Sequence, residues 1–237
     1  MRQEKMRQAA AGAEQFRAAS DQSLLISFGQ HITLDSHQRV LKLLHLLQAE
    51  PIEGIRNLHP AYCSLLIKFD PLRLDHDEVQ SRLVPYLARL GKTPLPAPQQ
   101  VEIPVCYGGE FGRDLSEVAA MHGMTPAQAV ELHSSPIYIV SFLGFAPGFA
   151  YLGGLPEALA SPRLETPRAK VPQGSVGIGG NQTGVYPFAT PGGWRLIGRT
   201  PVAMFRRHQD PMNLLQIGDH VRFRPISKEE FAEFSSR

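Results

Sequence analysis

The segment TPRAKVPQGSVGIGGNQTGVYPFATPGGWRLIGRTPVAMFRRHQ, Thr166 to Gln209, carries six fixed cations and no carboxylate. The cations are Arg168, Lys170, Arg195, Arg199, Arg206 and Arg207. Its apolar runs, Val176–Ile178, Val185–Tyr186, Trp194–Ile197 and Val202–Phe205, are separated at close spacing by glycine and proline. Runs this short are too brief for helices and predict a compact β-barrel or sandwich with long functional loops. Tyr138–Phe145 upstream and Val221–Phe223 downstream continue the pattern, so it holds from beyond Ser135 to Pro225. Positive charge in glycine-rich loops also suits a small anionic ligand. Guanidinium forks grip carboxylate or phosphate, and glycine lets backbone N–H groups approach closely.

Upstream of Ser135 the periodicity differs. Leu24, Leu25, Ile26 and Phe28 read as a strand ended by Gly29, and Asp35 is expected to cap a helix bearing Val40, Leu43, Leu44 and Leu47. Two strands follow, Ile55–His59 and Tyr62–Phe69, and then a helix from about Asp75 carrying Val79, Leu83, Tyr86, Leu87 and Leu90. This β-α-β-β-α order predicts a small α+β sandwich. The proline-rich stretch 92–100 marks a boundary. Beyond it come a strand at Val101–Tyr107 and a helix from Asp114. A second helix is opened by the capping box of Thr125 and Gln128 around Pro126, and a terminal helix is capped by Ser227 with Glu230. The expected organisation is a flexible polar tail over 1–20, helical at most, an α+β domain over 21–91, a linker over 92–100 and a barrel domain over 101–237.

Composition narrows the function classes. With 43% hydrophobic and 19% charged residues, the 237-residue chain is globular rather than disordered. A net charge of +2, with no exposed-looking aromatics interleaved among the basic residues in the RNA-binding manner, points away from nucleic acid. No apolar run approaches the ~20 residues of a membrane span, and 1–20 holds no secretory signal. Cys63 and Cys106, without a CxxC spacing, suit buried inert thiols in a reducing compartment. Cytoplasm is the expectation.

Several local patterns carry no chemistry. Gly91-Lys92-Thr93 lacks the upstream glycine and following helix of a phosphate-binding loop, and Gly174-Ser175-Val176-Gly177 lacks the strand-to-helix setting of a nucleophile elbow. The nine histidines show no metal-ligand spacing, and His122 and His133 read as helix-surface or capping residues, so no metal site is expected. In Gly144–Pro156 aromatics alternate with turn formers, giving a rigid loop with flat apolar faces or simply an aromatic-packed turn. Arg206 and Arg207 read as solvated charge. Arg168 and Arg199, set among Pro, Thr and Gly, are better candidates for a fixed fork.

At these residues the chain becomes recognisable. The ordered series Gly144-Phe145-x-Pro147-Gly148-Phe149-x-Tyr151-Leu152, Thr166-Pro167-Arg168 and Val171-Pro172-x-Gly174-Ser175-Val176 resembles the family of bacterial 5-oxoprolinase B subunits. Gln182-Thr183-Gly184-x-Tyr186-Pro187 and Pro191-Gly192-Gly193-Trp194-x-Leu196-Ile197-Gly198-Arg199-Thr200-Pro201 extend the match, which runs from about Ser23 to Pro225. The same family includes allophanate hydrolase subunit 1 and KipI-type kinase inhibitors. The resemblance implies an α+β fold with a ferredoxin-like N-terminal domain and a cyclophilin-like barrel. It also implies two partners, the C and A subunits of 5-oxoprolinase, and an ATP-dependent opening of the 5-oxoproline (pyroglutamate) lactam to glutamate.

Phosphoryl transfer to the amide oxygen of a lactam relies on positioning and charge stabilisation, which arginines and backbone N–H groups supply. Arg168 and Arg199 are therefore expected to contact anionic oxygens, with Gln182 and Ser175 giving neutral hydrogen bonds. Phe145, Pro147, Tyr186 and Trp194 would line the site, and Gly148, Gly192 and Gly193 would allow close backbone approach. Without an acid in the segment, Mg²⁺ is expected to be held by the partners or the substrate and the chain to be inactive alone. The rival expectations are an inhibitor of a sensor histidine kinase and a subunit of urea or allophanate metabolism.

Overall fold

The computed structural model describes residues 14–235, which fall into two compact units dividing between Ala97 and Pro98. In the first, strands β1 (Gln15–Ser20), β2 (Ser23–Ser27), β3 (Ile55–Pro60) and β4 (Ser64–Phe69) form one antiparallel sheet in the order β1-β2-β4-β3. Helices α1 (Leu34–Ala49) and α2 (His76–Leu87) pack on it. From β2 onward this is the expected ferredoxin-like order. The edge beside β2, where a ferredoxin-like sheet would take a strand from after the second helix, is filled by β1. The expected tail over 1–20 is thus corrected: Gln15–Ser20 is a strand, while 1–13 lies outside the described residues. Its polar sequence hid it, because an edge strand with mostly exposed side chains carries no apolar alternation.

Helix α1 begins earlier than its acidic residue suggested. Thr33 caps it, its Oγ1 accepting from the Ser36 N–H at 3.1 Å, and Asp35 sits in the first turn. Helix α2 starts at Asp75 as expected, and Asp75 caps it, accepting from the Glu78 N–H at 2.8 Å.

The second unit is a closed seven-stranded barrel. Its strands are β5 (Gln100–Tyr107), β6 (Tyr138–Leu143), β7 (Ala150–Gly153), β9 (Ser175–Gly179), β10 (Gln182–Val185), β12 (Arg195–Arg199) and β13 (His220–Pro225). The order around the barrel is β10-β7-β6-β13-β5-β12-β9, closed through the β9–β10 hairpin, and only β13–β5 is parallel. Closure removes the unpaired edges that seven short strands would otherwise expose. Ribbon β8 (Arg168–Val171) with β11 (Thr190–Gly192) forms a separate two-stranded sheet. Val202–Phe205, expected as a strand, is an irregular segment joined only by the Phe205–Asn213 bridge. Helices α3 (Leu115–Met121), α4 (Pro126–Ser134) and α5 (Lys228–Ser235) complete the unit, the Thr125–Gln128 capping box opening α4 as expected.

Alternation along the strands fills the barrel: Ile103 and Val105 from β5, Val176 and Ile178 from β9, and Val221 and Phe223 from β13 are buried together. Among them stands His133, fully buried on α4 rather than on its surface as expected. The Tyr107 phenol lies 2.8 Å from Nδ1, Thr183 Oγ1 lies 2.9 Å from Nε2, and Thr183 donates on to the Gly177 carbonyl at 3.0 Å. Since Thr183 commits its proton to Gly177, His133 carries its own on Nε2 and accepts from Tyr107 at Nδ1. Burial holds the imidazole neutral, its pKa lowered to about 3. The unfolded chain therefore binds this proton at higher pH than the folded one. Stability is expected to fall as pH drops from about 6.5 towards 3, by up to about 1.4 kcal/mol per pH unit. Urea denaturation of wild type and His133→Gln across that range checks it: the difference in unfolding free energy between the two should shrink steadily as the medium is acidified.

Candidate functional site

Residues 144–149 form two fused turns. The Ala146 N–H reaches the Gly144 carbonyl at 2.7 Å, closing a three-residue turn centred on Phe145, whose φ is 66°. The Phe149 N–H then bonds the Ala146 carbonyl at 3.0 Å across Pro147-Gly148, with Gly148 at φ 81°, as a type II turn requires. Positive φ at a bulky aromatic is a strained arrangement of about 1–3 kcal/mol that only a surrounding framework sustains. The framework here is the hydrogen bond from the Gly144 N–H to the Phe149 carbonyl at the loop base. Its consequence is a Phe145 ring 61% exposed, edge-on to Phe149 at 5.3 Å and to Tyr186 at 6.2 Å.

Beneath that ring lies a second, smaller core of Phe149, Val171, Tyr186, Trp194 and Leu196, on the outer side of the barrel wall. Trp194 fits there because β9 and β10 present glycine outward. A Cβ on Gly179 would lie 2.4 Å from the indole nitrogen, and one on Gly184 would lie 3.2 Å from the ring. Phe149 meets Trp194 and Tyr186 edge-to-face at 5.5 and 5.4 Å. Burial raises the Tyr186 pKa against a backbone hydrogen bond from Trp194, so the phenol stays neutral. Its hydroxyl takes the space a side chain at Gly192 would need.

The charges are distributed otherwise than expected. Asp114, from which a helix was expected, stands at the N-cap of α3, but its side chain makes no cap bond and the residue is 5% exposed. Its Oδ1 accepts from Arg168 Nη2 at 2.7 Å and its Oδ2 from the Leu196 N–H at 2.7 Å. Arg168 is therefore neutralised within the chain, its Nη1 reaching only the Trp194 carbonyl at 3.4 Å. Arg195 is likewise bound, to the Pro162 carbonyl through Nε and to Glu117 at 2.8 Å. The acid-free stretch thus draws its acids from α3 and the loop before it, which linear charge counting does not see. Half-buried Arg199 differs. Its Nε donates to the Gln173 carbonyl at 2.7 Å, and it has no carboxylate partner among the described residues.

Register divides the expected residues into three groups. Arg199 pairs with Ser175, whose carbonyl accepts from the Tyr186 N–H at 2.9 Å. Gly148 packs on Met204 and Phe205, so Phe145, Pro147, Gly148, Ser175, Tyr186 and Arg199 share one end of the barrel. Arg168, Gly192, Gly193 and Trp194 gather instead at the start of β12 and the β8–β11 ribbon, linked to the first group through the Tyr186 ring. Gln182 lies at the β9–β10 turn opposite Gly179, about 10 Å along the strand from Val185. The expected fork of Arg168 with Arg199 is therefore not formed: the two guanidiniums are anchored towards opposite ends of β12. The close approaches at Gly148 and Gly192 admit Phe205 and Tyr186, and Gly193 faces Pro167.

A closed barrel carrying this aromatic shell matches the family model described as carboxyltransferase domain, subdomain C and D, over residues 14–215. Among curated proteins, the 5-oxoprolinase B subunit of Bacillus subtilis is 39% identical over 92% of this chain and 95% of its own length. Its Escherichia coli O157:H7 counterpart is 47% identical over 82% and 88%. The chain belongs to the 5-oxoprolinase B-subunit family. A urea amidolyase of Lachancea kluyveri is 24% identical over 93% of this chain but 14% of its own. Of solved structures, TTHA0988 is 35% identical with a TM-score of 0.76, covering 90% of this chain and 40% of that one. The conserved uncharacterized protein PH0987 of Pyrococcus horikoshii is 46% identical with a TM-score of 0.55, covering 92% and 100%.

Removing Arg168 would strand a buried carboxylate. Arg168→Ala is expected to lower stability by about 3–5 kcal/mol, and Arg168→Ala/Asp114→Asn to recover part of it. Chemical denaturation of wild type, the double variant and both single variants, Arg168→Ala and Asp114→Asn, measures the coupling, and a loss below about 1 kcal/mol in Arg168→Ala contradicts it.

Proposed function

We propose that this chain is the B subunit of a 5-oxoprolinase, opening the lactam of 5-oxoproline to glutamate together with the C and A subunits. The single observation carrying the site assignment is Arg199, held by the Gln173 carbonyl with its terminal nitrogens uncommitted among the described residues. A guanidinium fixed through Nε presents its two Nη groups as a fork, which suits the substrate carboxylate. The exposed Phe145 ring, edge-on to the buried Tyr186, is the apolar face against which a small ring can lie. Ser175, 1% exposed and paired with Arg199, fixes the guanidinium's strand rather than reaching the substrate.

A magnesium ion fits the described residues of this chain poorly. Among the described residues no group of three or more His, Cys, Asp or Glu is placed to hold a metal, and Asp114 is already committed to Arg168 and Leu196. The metal ion is therefore assigned to the partner subunits or the substrate, and the isolated chain is expected to be inactive. Likeness to the urea amidolyase supports a second reading, a subunit acting on urea-derived amides, for which the same Arg199 would face a carboxylate or carbamate oxygen. No helix among the described residues is long and apolar enough to cross a membrane.

In the reconstituted complex, Arg199→Ala is expected to lower kcat/KM for 5-oxoproline about 100-fold or more while leaving the melting temperature within a few degrees. ATP-dependent glutamate release is the readout. Turnover equal to wild type would remove Arg199 from the site, and absence of any release from the wild-type complex would remove the 5-oxoprolinase reading. Phe145→Gly relieves the positive φ and is expected to leave the chain as stable as wild type or up to about 1 kcal/mol more so, yet with reduced turnover. Calorimetry beside the same assay separates the two effects.

A further inference from the structure

The link between β8 and β9 is a single tight turn. The Ser175 N–H reaches the Pro172 carbonyl at 3.2 Å across Gln173-Gly174, and of these two central residues only Gly174 has positive φ, 80°. Such a turn is of type II, whose central peptide is turned over relative to the commoner type I. That peptide joins Gln173 to Gly174, and its carbonyl is the one that accepts from Arg199 Nε at 2.7 Å. The rest of the turn is bound on both sides. The Gly174 N–H donates to the Tyr186 carbonyl at 2.7 Å, and the Gly174 carbonyl accepts from the Thr200 N–H at 2.9 Å. A Cβ on Gly174 would lie 2.3 Å from the Thr200 carbonyl oxygen, and the positive φ would strain it besides.

We propose that Gly174 is a positioning residue for the anion site: it keeps the Gln173–Gly174 peptide turned over, and that peptide sets the Arg199 fork relative to Tyr186. The inference rests on the 5-oxoprolinase reading and adds to it the element that fits the carboxylate grip to the ring face. One peptide holds both sides, Arg199 through its oxygen and the Tyr186 backbone through its nitrogen. Turned back, it would carry its N–H to the side now held by its carbonyl. A donor would then face the Arg199 Nε–H, and the bond to the Tyr186 carbonyl would be lost. The guanidinium would keep its charge but lose its aim, because a long side chain without that anchor spreads over many rotamers. Joining β8 to β9 requires a turn, but not a bond from its central carbonyl to a cation. A small rigid ring bearing a carboxylate needs both contacts at once, and misplacing one by about 1 Å costs heavily in rate.

The test is steady-state kinetics of glutamate release by the reconstituted complex carrying Gly174→Ala, Arg199→Ala or both, each variant first checked for a cooperative melting transition. Gly174→Ala is expected to lower kcat/KM about 30-fold or more. The double variant is expected to stay within about threefold of Arg199→Ala, because an arginine already removed cannot be misplaced. Losses that multiply mark a merely structural turn and overturn the positioning role. So does a Gly174→Ala complex within about twofold of wild type. Guanidinium chloride, well below denaturing concentration, is expected to restore Arg199→Ala about tenfold, since the Gln173 carbonyl remains to seat it, and to leave the double variant unchanged. Equal recovery in both overturns the proposal. Should Gly174→Ala fail to fold, the rescue of Arg199→Ala carries the test, and no recovery overturns it. These outcomes leave the 5-oxoprolinase reading standing. Arg199→Ala as active as wild type removes the site assignment as well, and a wild-type complex that releases no glutamate removes the reading itself.

Discussion

The Asp114 carboxylate holds together parts of the barrel domain that no strand pairing joins. It accepts from a guanidinium on the β8–β11 ribbon and from the backbone of β12, while its own N–H donates to the Leu196 carbonyl at 2.8 Å. The loop it ends is laid on β12 just as closely: the Gly108 N–H bonds the Ile197 carbonyl at 3.0 Å, and Gly112 sits where any Cβ would collide with that carbonyl. Ile197 is the extra residue of a register shift between Leu196 and Gly198, which frees its carbonyl for the loop. A buried carboxylate is tolerable only when its acceptor sites are filled. Loop, ribbon and strand must therefore be assembled together, and Arg168 is committed to that assembly.

The aromatic shell depends on the same assembly. Trp194 can lie on the outside of the wall only because β9 and β10 offer glycine there, and only because the ribbon brings Val171 over it. Inside the wall, Val176, Ile178 and Val185 from the same two strands fill the barrel. One hairpin thus serves two cores, apolar on one face and bare on the other. Tyr186, just past the hairpin, extends the shell towards Phe145, and Arg199 is fixed at the same end. The anion-binding candidate and the exposed aromatic are products of one piece of packing, with the His133 network bracing the interior opposite.

Much of this was legible in the chain. The 2-residue and 3.6-residue periodicities marked both units, the prolines of 92–100 lie at the division between them, and Thr125 and Asp75 announced their helices. Legibility failed wherever a residue's partner was remote. Asp114 stands where a helix cap would, and only the fold reveals a partner 54 residues away. His133 stands on a short helix whose inward side the sequence could not orient, and β1 is an edge strand without apolar alternation.

The sequence by itself determined the elements, the turn chemistry of Pro147-Gly148 and the family, because these rest on local backbone preference and ordered motifs. Tertiary structure alone decided which cation is available. Charge is counted along the chain, but neutralisation happens across space: Asp114 and Glu117 reach back from before the barrel's glycine-rich strands to claim Arg168 and Arg195, while half-buried Arg199 has no carboxylate partner among the described residues.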